Sequence, residues 1–316
     1  MLYKLLLFPA RIFLHLYCRR VVINKKEITS LKGPLLIAAN HPNSFLDAII
    51  LATLFKSPIY SLARGDAFAG KVITRLLSSL NMLPVYRVSE GVENLEHNYG
   101  TFDACQSIFK NNGIVLIFSE GRCINEWHLR PLKKGTARLA FGAWKKGYKL
   151  RVLPLGINYS FFRKFGKTVF LNFGNFIEKK DITDDLSAGK SINDFNEKLR
   201  DQLRDLVFEI DKNDQLKRDD VFYHKMPVIK KSLLFIPGIF GIILHAPLFY
   251  GIHSFIKSRA EDHYDSVMTG LLFFVYPIYV ILITVILLVI TKSLTALLLL
   301  ILMPFSLWSY VQLKVK

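Results

Sequence analysis

The chain has 316 residues, 51% of them apolar, and a formal net charge of +17. That combination excludes a plain soluble enzyme with its apolar residues dispersed, because so basic a chain is well solvated and its apolar residues must be segregated along the sequence. Lys and Arg are scattered, without an aromatic-basic ribonucleoprotein motif or zinc-finger spacing, so no nucleic-acid partner is expected and the positive charge points to an acidic membrane leaflet.

The N-terminal segment, 1–20, is no secretory signal, since Arg11 cuts its uncharged run to Leu5–Ala10. Leu5, Leu6, Ile12, Phe13 and Leu16 with Lys4, Arg11, Arg19 and Arg20 predict a helix lying in the membrane interface, and an ordinary helix packed on its own domain fits the same pattern. From 21 to 210 short apolar runs alternate with longer amphipathic ones, the signature of an α/β sheet covered by helices. Strands are predicted at 34–39, 59–63, 82–86, 114–118, 150–157 and 168–173, and helices at 44–55, 67–79, 94–111, 134–146 and 192–210. A basic linker follows at 211–231. The widely spaced Cys18, Cys105 and Cys123 form neither a disulfide framework nor a metal cluster, which suits a reducing cytosol and leaves no metal site and no cofactor in the expectation.

The C-terminal quarter, 232–316, holds three uncharged stretches at 232–256, 270–291 and 293–313, each long enough to span about 30 Å of hydrocarbon as helix. Lys230, Lys231, Lys257 and Arg259 flank the first on both sides, and Pro237, Gly238, Gly241 and Pro247 interrupt it. Because Lys and Arg stay cytoplasmic, the first stretch reads as a re-entrant or interfacial excursion, and the other two as a transmembrane hairpin. The 21–210 domain is then expected to face the cytosol on a cytoplasmic or inner membrane.

The chemistry starts at the end of the first of these strands, where Pro34-Leu35-Leu36-Ile37-Ala38-Ala39-Asn40-His41 is followed by Asp47. Ligands of open α/β sheets gather outside the carboxyl ends of strands. A histidine there accepts a hydroxyl proton near neutral pH if a carboxylate holds its other nitrogen. On spacing alone, a helix-capping histidine and a solvated aspartate fit as well.

Four blocks in order resemble the glycerolipid acyltransferase superfamily typified by 1-acyl-sn-glycerol-3-phosphate acyltransferases. They are Asn40-His41-Pro42-Asn43-Ser44-Phe45-Leu46-Asp47, then Leu83-Pro84-Val85-Tyr86-Arg87, then Ile117-Phe118-Ser119-Glu120-Gly121-Arg122 with Lys133-Lys134-Gly135 beyond it, and last Val152-Leu153-Pro154-Leu155. The resemblance implies a mixed sheet covered by helices, His41 with Asp47 as the catalytic pair, and an acceptor phosphate near Arg87. Two departures stand out. Five residues separate His41 from Asp47 where the family has four, which turns Asp47 by about 100° on a regular helix and demands a distorted turn. Some microbial glycerol-3-phosphate acyltransferases share the longer spacing. Ser119 also stands where the family has proline.

Acyl transfer from a thioester needs a base and cations that hold a phosphate. Arg87 and Arg122 suit bidentate phosphate binding, with Lys133 and Lys134 as secondary contacts or as a solvated helix start. Glu120, beside the permissive Gly121, either binds acceptor hydroxyls or fixes Arg122. There is no G-x-S-x-G elbow and no cysteine beside a histidine, so direct attack by the acceptor hydroxyl remains. The resemblance makes lysophosphatidate the expected acceptor, with glycerol-3-phosphate, another hydroxylated lipid, or a silent lipid-binding scaffold as alternatives. Membrane lipids are the expected partners, and acyl-CoA or acyl carrier protein the expected donor.

Overall fold

The computed structural model describes residues 2–86, 96–183, 188–223, 225–257 and 264–314. Seven strands form one mixed sheet: β1 (Cys18–Ile23), β2 (Leu35–Ala39), β3 (Ile59–Arg64), β4 (Met82–Val85), β5 (Ile114–Phe118), β6 (Arg151–Tyr159) and β7 (Lys167–Phe173). The order across the sheet is β1-β7-β6-β2-β5-β3-β4, and the five strands from β6 to β4 are mutually parallel. β7 is antiparallel to β6 and parallel to β1.

β2 reads Leu-Leu-Ile-Ala-Ala, every residue fully buried, as a strand covered on both faces must be. Leu35, Ile37 and Ala39 face Leu46, Ile50 and Leu51 of α2 (Phe45–Leu54) and Leu14 and Tyr17 of α1 (Leu2–Tyr17). Leu36 and Ala38 face the opposite layer, built by Cys105 and Phe109 of α4 (His97–Lys110), Leu139 of α5 (Gly135–Lys145) and Phe195 and Leu199 of α6 (Ala188–Leu206). A further helix, α3 (Gly70–Ser79), follows β3.

The six strands and five helices expected from the sequence are present, shifted by a few residues at their ends. The seventh strand is a correction. Helix α1 stops at Tyr17, three residues short of the expected end, and Cys18, Arg19 and Arg20 enter β1 because pairing with β7 satisfies their backbone. The expected linker at 211–231 is also partly ordered: it contains α7 (Gln215–Phe222), whose Phe222 is buried against Phe170 and Phe208.

Three helices are long and apolar enough to cross a membrane: α8 (Val228–Ile256), α9 (Tyr264–Thr291) and the segment Leu294–Leu313, which is a 3-10 turn leading into α10 (Leu299–Leu313). The stretch 232–256, expected as a re-entrant or interfacial excursion, lies within one unbroken helix of 29 residues that starts at Val228 and contains both prolines. Gly238 and Gly241 explain part of its course. A Cβ on Gly241 would stand 2.2 Å from the Ser306 carbonyl, so the glycine lets the backbones of α8 and α10 touch.

Both ends of this apolar assembly return to the catalytic domain. Gln312, at the end of α10, donates to the Arg19 carbonyl at 3.1 Å and accepts from Lys230 at 3.3 Å. At the start of α9, Asp265 accepts the Tyr17 hydroxyl, and Ile256 of α8 is buried against the neighbouring Tyr264 and Met268.

Candidate active site

Three adjacent parallel strands deliver the site. Ala39 of β2 pairs with Phe118 of β5 on one side and Leu155 of β6 on the other. His41 lies just past β2, Glu120 just past β5, and Tyr159 closes β6. Asn40 fixes the exit of β2, donating to the Ile157 carbonyl at 3.0 Å and accepting its N–H at 2.7 Å.

His41 Nδ1 stands 2.9 Å from Asp47 Oδ2. The Asp47 side chain is fully buried, and its carboxylate accepts two further bonds: the Asn43 N–H on Oδ2 at 2.9 Å and the Tyr159 hydroxyl on Oδ1 at 2.7 Å. An ionised carboxylate only accepts, so His41 donates through Nδ1–H and Nε2 carries the lone pair. Nε2 has no hydrogen-bond partner among the described residues, while the ring is stacked on Phe118 at 3.7 Å and remains 18% exposed. Burial, and then the Asp47 charge beside it, push the Tyr159 hydroxyl well above its ordinary value, so Tyr159 stays a donor.

The extra residue between His41 and Asp47 is accommodated at one point. Ser44 sits at φ 50, ψ −130, immediately before α2, and this kink brings Asp47 into the first turn facing His41. The third block is zipped onto the same turn: Glu120 Oε2 accepts the His41 N–H at 2.9 Å, Ile124 N–H donates to the His41 carbonyl at 3.2 Å, Asn125 donates to the Pro42 carbonyl at 2.7 Å, and Ser44 N–H reaches Cys123 Sγ at 2.9 Å.

Glu120 is bonded to backbone on both oxygens, and of its two expected roles the fixing of Arg122 is the one this geometry does not provide. Its second oxygen accepts the Arg130 N–H at 2.9 Å, so the carboxylate straps the His41 loop to the 120–130 segment and is bonded to backbone instead of to Arg122. Burial pushes its carboxyl from 4.5 up to about 7, against the opposing pull of these N–H groups. Ser119, in place of proline, is buried and donates its N–H to the Ala39 carbonyl at 2.8 Å, and its hydroxyl pairs with Thr136 at 3.0 Å, neither of which a proline can do.

Arg122, Lys133 and Lys134 are all exposed. Gly121 has φ +67, and the stem of Lys133 lies over it, since a Cβ there would stand 3.0 Å from Lys133 Cγ. The structure thus brings Lys133 beside the third block, and it leaves Lys134 at the start of α5. Arg87 lies outside the described residues. Sequence reasoning missed Tyr159 and the linking role of Asn43, although Asn43 stands inside the first block. It also missed Lys167, Asp265 and Ser266, which stand behind the turn. The described residues hold no cluster of three metal-ligating side chains.

Residues 19–158 match the family model described as "Acyltransferase". No curated protein matches the chain. Among solved structures it is similar to the 1-acyl-sn-glycerophosphate (LPA) acyltransferase PlsC from Thermotoga maritima, at 16% identity and a TM-score of 0.41, over 59% of this chain and 70% of that one.

Proposed function

We propose that this chain, whose residues 19–158 match the family model described as "Acyltransferase", moves a fatty acyl group from acyl-CoA or acyl carrier protein to the hydroxyl of a lysophosphatidate-type acceptor at a membrane surface. The observation that carries this reading is the His41–Asp47–Tyr159 array, with Nε2 left without a partner among the described residues on a ring that remains partly exposed. His41 Nε2 takes the proton of the acceptor hydroxyl as its oxygen attacks the thioester carbonyl. The tetrahedral intermediate collapses, the C–S bond breaks, and His41 returns the proton to the leaving thiolate. Asp47 stabilises the imidazolium between these steps, and Tyr159 and Asn43 keep Asp47 in place.

Arg122 and Lys133 supply exposed positive charge beside Gly121, where an acceptor phosphate would be held, with Arg87 and Lys134 as further contacts implied by the family resemblance. The apolar helices supply the membrane attachment, and the catalytic domain faces the cytosol, where soluble acyl donors are found.

The test is acyl transfer by the purified full-length protein, offered acyl-CoA and acyl carrier protein donors with lysophosphatidate or glycerol-3-phosphate. Turnover with lysophosphatidate, lost by a factor of about 10² to 10⁴ in His41→Ala, is the expected result. Wild-type turnover in a folded His41→Ala protein would overturn the assignment. Preference for glycerol-3-phosphate would correct the acceptor and keep the chemistry.

A further inference from the structure

The turn that carries His41 and Asp47 is held from behind by the first turn of an apolar helix. Asn43 Nδ2 donates to Asp265 Oδ2 at 2.7 Å, while the backbone N–H of the same Asn43 donates to Asp47. Ser266 Oγ accepts the Phe45 N–H at 3.1 Å and donates to the Asn43 carbonyl at 3.3 Å. These bonds bracket Ser44, the residue with positive φ that the longer spacing requires. Both Asp265 and Ser266 belong to α9, more than 200 residues beyond the turn.

Asp265 is only 2% exposed, and it is fully engaged: Lys167 Nζ and the Tyr17 hydroxyl also donate to its carboxylate. Lys167 itself is fully buried at the start of β7 and donates a second bond to the Phe162 carbonyl at 3.1 Å. A buried ion pair is a poor way to hold a helix against a domain, because apolar residues of like volume hold it as well or better. What an apolar contact does not provide is an oriented acceptor, and Asp265 uses one on Asn43.

We propose that Asp265 is a positioning residue: docked on the catalytic domain, α9 holds the 41–47 turn in the one arrangement in which His41 Nδ1 meets Asp47. The histidine is then competent as a base only while the apolar helix is seated. This rests on the reading of His41 as the base, and it makes attachment to the membrane part a requirement for turnover, beyond its role in placing the enzyme near its lipid.

The test uses the full-length protein in lipid nanodiscs. The variant Tyr17→Phe/Lys167→Met/Asp265→Leu replaces the buried charges with apolar groups of similar size, so α9 stays docked while Asn43 loses its acceptor. The expected result is a cooperative melt, acceptor and donor KM unchanged, and kcat lower by about 100-fold, the cost of a misplaced catalytic group. Asn43→Ala should lose a similar factor, and combining the two should add little further loss, because both cut one link. Independently of turnover, hydrogen exchange at the Asn43 and Asp47 amides should speed by about tenfold while Ile114–Phe118 stays protected.

A folded triple variant with wild-type kcat and unaltered exchange in the turn would overturn the proposal. If the triple variant does not fold, Asn43→Ala, which leaves the Lys167–Asp265 pair intact, carries the test, and unchanged kcat and exchange there overturn it equally. A wild-type protein that transfers no acyl group would sink the reading of the site, and the exchange comparison would still decide the anchoring.

Discussion

Tyr159 hydrogen-bonds to Asp47 at 2.7 Å across 112 residues of sequence. The bond occupies the carboxylate oxygen that His41 leaves free, in a place without water access. Tyr159→Phe should therefore leave a buried oxygen unpaired and cost about 1–3 kcal/mol of stability. It should also lower kcat with KM for both substrates unchanged, since Asp47 loses one of the groups that orient it. Thermal melts and steady-state kinetics check the two effects, and a variant with neither would show that Tyr159 merely packs.

Ser44 holds φ 50 without a glycine's freedom. Strain of this kind costs about 1–3 kcal/mol, and glycine's larger unfolded-state entropy returns part of that, so Ser44→Gly should stabilise the domain by about 1 kcal/mol. Ser44→Val should destabilise it. A lower melting temperature for the glycine variant would contradict the strained turn.

Glu120 makes stability depend on pH. Its folded-state value of about 7 lies above the ordinary 4.5, so the folded state binds more protons between those values. Stability from this group is then complete at low pH and falls as pH rises through that window, by about 3 kcal/mol in total. Glu120→Gln removes the slope, so the melting temperature of the variant relative to wild type should climb from pH 4.5 to about pH 7 and stay level above it. A difference that is flat across the window would refute the shifted carboxyl.

Arg122 and Lys133 flank Gly121 on the exposed side of the site. If they hold the acceptor phosphate, Arg122→Ala and Lys133→Ala should each raise the acceptor KM by a factor corresponding to about 1.5–3 kcal/mol and leave the donor KM in place. Parallel changes for both substrates would assign them to the fold.

The ends of α9 and α10 at Tyr17 and Arg19 put the open end of the hairpin on the catalytic side, with Ser293 at its far turn. In intact cells, a cysteine at Ser293 should react with a membrane-impermeant thiol reagent, and one at Lys257 should not. Labelling at Lys257 would reverse the arrangement.

The sequence alone determined the features that depend on local pattern. A fully buried central strand reads as an unbroken apolar run, helices show their 3.6-residue period, and three stretches are too long and too apolar for anything but lipid or a protein bundle. The address of His41, just past an apolar strand, was legible for the same reason, and the need for a distorted turn before Asp47 came only from the resemblance to the family spacing. Only tertiary structure decided the rest. Arg19 and Arg20 read as the charged end of a helix, and they became a strand because β7, nearly 150 residues away, offered backbone partners. Glu120 has the look of a ligand-binding carboxylate and is a strap between two loops. Tyr159, Lys167 and Asp265 stand in unremarkable local contexts, and their roles come from burial against one another, where each polar group must find a partner that no sequence period announces.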